Sequence, residues 1–264
     1  MSSTGRIVVG VVAVVVLIVG GFLIYDAVLG ETEEASGPIT AAPIELETPV
    51  EDPYPIAEAE ASVAESSNPY PVETESPAET EAVAASGPVV FSIIPEQSEA
   101  RFELGEILQG QPKQVIGATD QVAGELAVDV NDLASAQVGE IVVNARTLAT
   151  DSDRRDRAIR NQILVTDTFE FVTFTPTAIG GLTGSAAVGD EFTFQVTGDL
   201  MIRDVSMEVV FDVSAALISE DRIAGSATAV IERADYNLVI PSVPSVAGVD
   251  EQVVIEIDFV AEVK

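Results

Sequence analysis

A chain of 264 residues that carries 44 acidic against 12 basic side chains, a formal charge of −32, lacks the clustered Lys and Arg that a phosphate backbone requires, which sets nucleic acid aside as a partner. It has neither Cys nor His, so disulfide frameworks, thiol nucleophiles, zincin motifs and Ser-His-Asp triads are excluded together, and no metal or cofactor is expected. Binding, structural and carboxylate-only functions remain.

Taken in chain order, residues 7–24 form an uncharged run of eighteen dominated by Val and Ile, with Arg6 before it and Tyr25, Asp26 and Glu31 after it. A spanning helix needs ~20 apolar residues, and the lone base on the N-terminal side places that side in the cytoplasm. Residues 1–30 are therefore expected to be a cytoplasmic tail and single-pass anchor. The rest of the chain then lies outside the membrane. A cleaved signal peptide is the competing reading, although such cores usually run ~7 to 15 residues.

Residues 31–88 hold nine of the fourteen prolines and fourteen acids with no base. So little apolar surface cannot offset the entropy of ordering, and the segment is expected to be a disordered acidic Pro-rich linker. Within it, Asp52-Pro53-Tyr54-Pro55-Ile56 echoes Asn68-Pro69-Tyr70-Pro71-Val72, which reads as a drifted low-complexity repeat rather than a docking motif.

From residue 89 to 264 the apolar pattern has period two, the repeat of a strand with one buried face. Ala100, Phe102 and Leu104 follow a break at Pro95; Val122, Leu126 and Val128 alternate with Gln121, Glu125 and Asp129. The clearest pair spans residues 191–215. Phe192, Phe194, Val196, Leu200 and Ile202 share one face, and after Arg203-Asp204 the parity shifts to Val205, Met207, Val209, Phe211 and Val213. A hairpin at Arg203-Asp204 sets Ile202 opposite Val205, Leu200 opposite Met207, Val196 opposite Phe211 and Phe194 opposite Val213, and a slip of one residue would expose a whole apolar set. Arg-Asp is a poor two-residue turn, so a longer loop in the same register is an alternative. Two further alternating runs, from Ile223 to Ile231 and from Val253 to Val263, complete about eight strands of an antiparallel barrel or sandwich.

One stretch breaks the pattern. Thr150-Asp151-Ser152-Asp153 has the form of a capping box, with Ala158, Ile159 and Ile163 at helical spacing, so residues 151–164 are expected to be helical. Arg154, Arg155, Arg157 and Arg160 lie there. Arg155, Arg157 and Arg160 are candidates for contact with an anionic head group; the alternative is an exposed face that neutralises nearby acids such as Asp153 and Asp156.

With these segments in place, the chain resembles the YceI-like family over roughly residues 91–263. The resemblance rests on Pro95-Glu96-Gln97-Ser98-Glu99-Ala100-Arg101-Phe102, Val122-Ala123-Gly124, Thr147-Leu148-Ala149-Thr150 followed by Arg155-Asp156, residues 171–176, and Gly198-Asp199-Leu200-Met201-Ile202-Arg203-Asp204-Val205. It implies a lipocalin-like β-barrel that binds a polyisoprenoid, quinone or similar lipid. Ala158 stands where the family often has His, and Glu170-Phe171 where it often has an aromatic-Pro pair. If the family His touches the ligand, that contact is lost here.

Small barrels hold side chains or one slender ligand. Gly225, Ala227 and Ala229 point inward on one strand and leave space that Phe102, Phe192, Phe194, Phe211 and Phe259 are placed to line. The same small residues would equally serve to relieve crowding. The expectation is a membrane-anchored, extracytoplasmic lipid-binding protein without enzymatic activity. The alternative is a structural or stress-related surface protein with a filled core. A carboxylate hydrolase ranks last, since acids such as Glu256 and Asp258 face outward.

Overall fold

The computed structural model describes residues 32–44, 87–242 and 246–264. The expected anchor at residues 7–24 and the Tyr-Pro repeat at residues 52–72 lie outside them. Among the described residues, no helix is long and apolar enough to cross a membrane.

The alternating segments form one curled antiparallel sheet: β1 (Val89–Ile93), β2 (Glu99–Leu108), β3 (Gln111–Thr119), β4 (Val122–Ala123), β5 (Glu125–Val128), β6 (Gln137–Val138), β7 (Ile141–Asn144), β8 (Phe171–Gly180), β9 (Glu191–Ile202), β10 (Val205–Ser219), β11 (Arg222–Glu232), β12 (Val246–Val249) and β13 (Gln252–Val263). One ladder runs β4-β7-β8-β9-β10-β11-β13-β1-β5-β6, while β2 pairs with β3, β12 and the first half of β13. β4 at one end of that ladder and β5, next to β6 at the other, are separated in sequence only by Gly124. The curl therefore brings the two edges of the sheet together.

The β9–β10 hairpin has the register set by period two: Ile202 faces Val205, Leu200 faces Met207, Val196 faces Phe211 and Phe194 faces Val213. The turn has two residues, not the longer loop. Arg203 takes φ 59 to close it, left-handed backbone that non-Gly residues adopt at a cost of roughly 1–2 kcal/mol. Met207 keeps its predicted pairing with the buried Leu200 yet is itself 41% exposed.

Antiparallel pairing defines two ends. At the first lie the turns at residues 109–110, 145–170, 203–204 and 233–251; at the second lie those at 129–140, 181–190 and 220–221. The first end carries α1 (Asp153–Ala158) and a wider π turn over Ile159–Ile163. The expected capping box is corrected here. Ser152 is the N-cap and its side chain makes no capping bond; instead the buried Asp156 carboxylate accepts from the Thr150 amide at 2.8 Å and hydroxyl at 2.6 Å.

Residues 32–44, read from sequence as part of a free linker, have no regular secondary structure yet are hydrogen-bonded along the sheet. Thr32 donates to Asn161 Oδ1 (2.7 Å), the Ser36 amide and hydroxyl donate to Glu170 (2.7 and 2.6 Å), Arg146 donates to the Glu34 carbonyl (2.7 Å), and the Ile44 amide donates to Glu125 (2.9 Å). This strap overturns the expectation that Glu125 faces water: it is 2% exposed and holds Ile44 on one oxygen and Lys264 Nζ at 2.8 Å on the other. Burial alone would raise its pKa, but these bonds outweigh it and hold the carboxyl below its ordinary value. Gly139 opens the seat for Ile44, since a Cβ there would stand 3.0 Å from Ile44 Cγ1.

Candidate functional site

Strand alternation aims one set of side chains into the curl, and that set is almost wholly apolar. The packing is incomplete. Among the described residues it leaves cavities of about 220, 70 and 70 Å³. The largest lies at the first end, beneath Ile159, Ile163 and Leu164 of the π turn and Leu238 and Ile240 of the following loop, with Phe102, Leu104, Val143, Val172 and Val253 on its walls. The second end holds another, among Leu133, Leu182, Phe192 and Leu217. A middle cavity joins the series: it shares Ile141, Phe174, Phe211 and Ile257 with the first and Leu126, Val138, Phe194 and Phe259 with the far one. Phe174 and Phe211 meet edge to face with centroids 4.8 Å apart at the first of these junctions.

Polar chemistry enters the large cavity at one place. Glu106 is 8% exposed, and its Oε1 accepts from Arg155 Nη2 of α1 at 2.9 Å. Arg155 also pairs with Asp151, which in turn takes Lys113 Nζ at 2.6 Å. The hydrogen bonds from Lys113 and Arg155 hold the Asp151 carboxyl below its ordinary value. Arg101 and Arg233 also border the cavity, but their guanidiniums are taken up elsewhere. Arg101 pairs with Asp258 and, at 2.7 Å, Glu256; Arg233 donates to the Asp250 carbonyl at 3.1 Å and pairs with Glu251. The site is thus a greasy hollow with the Glu106–Arg155 pair at its rim and Arg101 and Arg233 neutralised by acids outside it.

Of the residues read from sequence, Phe102 and Phe211 line the large cavity, Phe194, Phe211, Ala227 and Phe259 the middle one, and Phe192, Phe194 and Phe259 the far one. Gly225 and Ala229 line none of the three, which corrects their assignment. At Gly225 an added Cβ would stand 2.9 Å from both Ala215 Cα and Phe259 Cζ, so the glycine admits β10 and the ring rather than a ligand. Ala229 is 5% exposed within the packed core. Among the candidate head-group arginines only Arg155 borders a cavity. Arg160 donates to the Leu148 carbonyl at 3.2 Å, and Arg157, half-buried on the helical segment, borders none of the three cavities.

Sequence reasoning missed Glu106 and Arg233, though a signal for both was present. Glu106 continues the inward parity of Ala100, Phe102 and Leu104, and Arg233 that of Ala229 and Ile231. A charge on a buried parity near a strand end marks a rim.

A YceI-like domain model matches residues 91–261. Among solved structures, the chain is similar to a polyisoprenoid-binding domain from Saccharophagus degradans implicated in plant cell wall breakdown, with TM-score 0.52 and 17% identity over 67% of this chain and 99% of that one. It is also similar to BcnA from Burkholderia cenocepacia, with TM-score 0.50 and 17% identity over 64% of this chain and 98% of that one. At such identities the likeness is one of fold. The comparison with curated proteins finds no match.

Proposed function

The chain belongs to the YceI-like domain family, and from that premise we propose that it is a non-enzymatic lipid-binding protein, anchored by residues 7–24 outside the cytoplasm, that sequesters or carries an isoprenoid, quinone or similar apolar chain inside a lipocalin-like barrel. The observation that carries this reading is the run of three apolar cavities end to end inside the curl. A filled structural core would not leave such a tract. Polyisoprenoid binding by the Saccharophagus degradans domain supports the ligand class.

Size refines the reading. Small-molecule sites usually occupy ~300–1,000 Å³, and the large cavity has about 220 Å³. A long prenyl chain therefore enters with its head beside Glu106 and Arg155, extends into the middle cavity past the Phe174–Phe211 junction and reaches the far one past Phe194 and Phe259. Each Å² of chain withdrawn from water contributes about 25 cal/mol.

Native mass spectrometry of protein purified from membranes, with solvent extraction of whatever it carries, tests the proposal. A bound prenyl lipid is expected, and its amount should fall at least about fivefold in Val143→Phe, whose added ring fills part of the large cavity at little cost to an apolar wall. A chain that remains empty after incubation with prenyl lipids in detergent would refute the reading.

A further inference from the structure

The strap has a direction. It starts at Thr32 on Asn161, inside the π turn whose Ile159 and Ile163 roof the large cavity, and finishes at Ile44 on Glu125, which pairs with Ser92 of β1. The chain on the N-terminal side of the strap thus departs from the cavity end of the sheet. Between the apolar run that ends at Ile24 and the docked Thr32 lie seven residues, which reach at most about 25 Å at ~3.5 Å each. A linker free from residue 25 to 88 would instead wander over roughly 45 Å.

The surface at that end suits a bilayer. Arg154, Arg155, Arg157 and Arg160 gather there in a chain that has only 12 bases, and Arg154 is exposed. Val239, between the cavity-lining Leu238 and Ile240, is 74% exposed, and Met207 beside the β9–β10 turn is 41% exposed. Arg155 is paired with Glu106 and Asp151 and Arg160 is bonded to the Leu148 carbonyl, so this end offers a lipid interface the exposed Arg154 with the exposed apolar Val239 and Met207. The second end carries no such arginine group among the described residues: its turns at 129–140, 181–190 and 220–221 hold acids and no base.

We propose that the strap of residues 32–44 moors the domain with the α1 end against the bilayer, so that the large cavity faces the membrane and lipid passes between the two without crossing bulk water. The inference rests on the anchored, lipid-binding reading and specifies its geometry. It makes the strap a spacer of fixed length. Residues 45–87 then contribute nothing to the distance between sheet and bilayer.

The absence of Cys makes the geometry measurable. In the full chain reconstituted into phosphatidylcholine–phosphatidylglycerol vesicles, a dye on Asp235→Cys reports the α1 end and a dye on Glu220→Cys the opposite end; both positions are exposed. Energy transfer to a head-group acceptor should be at least about twofold more efficient from Asp235→Cys, because the ends are separated by ~30 Å of tilted strand. Adding Thr32→Ala and Ser36→Pro removes the Asn161 bond and both Glu170 bonds, and the two efficiencies should converge. Equal efficiencies with the strap intact, or stronger transfer from Glu220→Cys, overturn the mooring. So does convergence that fails to follow strap release. A chain that does not float with vesicles ends the mooring and the anchor together, whereas an intact mooring with no extractable lipid ends only the lipid-binding reading.

Discussion

At the scale of single residues, Glu106 and Arg155 form an ionic contact at the wall of a large apolar space, and each depends on the other. The Glu106 side chain is 7% exposed and that of Arg155 20%, so neither recovers full hydration when its partner is removed. Glu106→Leu should therefore destabilise the protein by about 2–4 kcal/mol, while Glu106→Leu combined with Arg155→Met should recover most of that loss, as replacing a buried pair by apolar groups is often neutral. Urea midpoints of the two variants check this. Tyr236 is a contrasting case. It is 1% exposed and its hydroxyl has no hydrogen-bond partner. Burial, helped by Asp235, pushes its pKa up to about 12. Because the folded value lies above the unfolded one of about 10, its contribution is complete below pH ~10 and is lost as the pH rises through the folded value. Tyr236→Phe should leave the thermal midpoint unchanged or raise it, and should remove the alkaline loss of stability that this group causes, since an unpaired buried hydroxyl costs about 1–3 kcal/mol.

Among the elements, the strap is the part most open to conditions. Three carboxylates hold it, Asp167 at the Glu33 amide, Glu170 at Ser36 and Glu125 at Ile44. At Glu170, as at Glu125, burial acts to raise the pKa, and the bonds from Ser36, Asn144 and Arg146 outweigh it, so the net displacement is downward. A depressed folded value means that the contribution is present above the ordinary carboxylate range and disappears as the pH falls through the folded value. Amide exchange at Ser36 and Ile44 should accordingly accelerate below about pH 4, before the β9–β10 amides lose protection. Simultaneous loss at both places would show that the strap is not a separate unit. The two elements also differ in how far they could be read beforehand. The β9–β10 register was legible because period two and an all-apolar facing set admit a single alignment. Residues 32–44 have no period to read; their attachment depends on Asn161, Glu170 and Glu125, more than eighty residues away or further. In the site, the phenylalanines followed from parity, whereas Gly225 was misassigned because strand alternation gives a direction and not what already occupies that direction.

For the molecule as a whole, the curl achieves a continuous ladder and leaves its axis partly unfilled. Away from the charged rim of the large one, the walls of the three cavities are apolar and offer water few partners, and apolar spaces of this kind stay dry. Space of this kind vanishes when the chain unfolds, so unfolding reduces the volume of the system, and hydrostatic pressure favours it. A guest that fills the axis removes that volume difference. Compression to a few kilobar, followed by tryptophan-independent readouts such as tyrosine emission, should therefore unfold delipidated protein at a lower pressure than loaded protein, by a margin that grows with guest length. Squeezing the molecule thus reports how full it is, without any need to know what fills it.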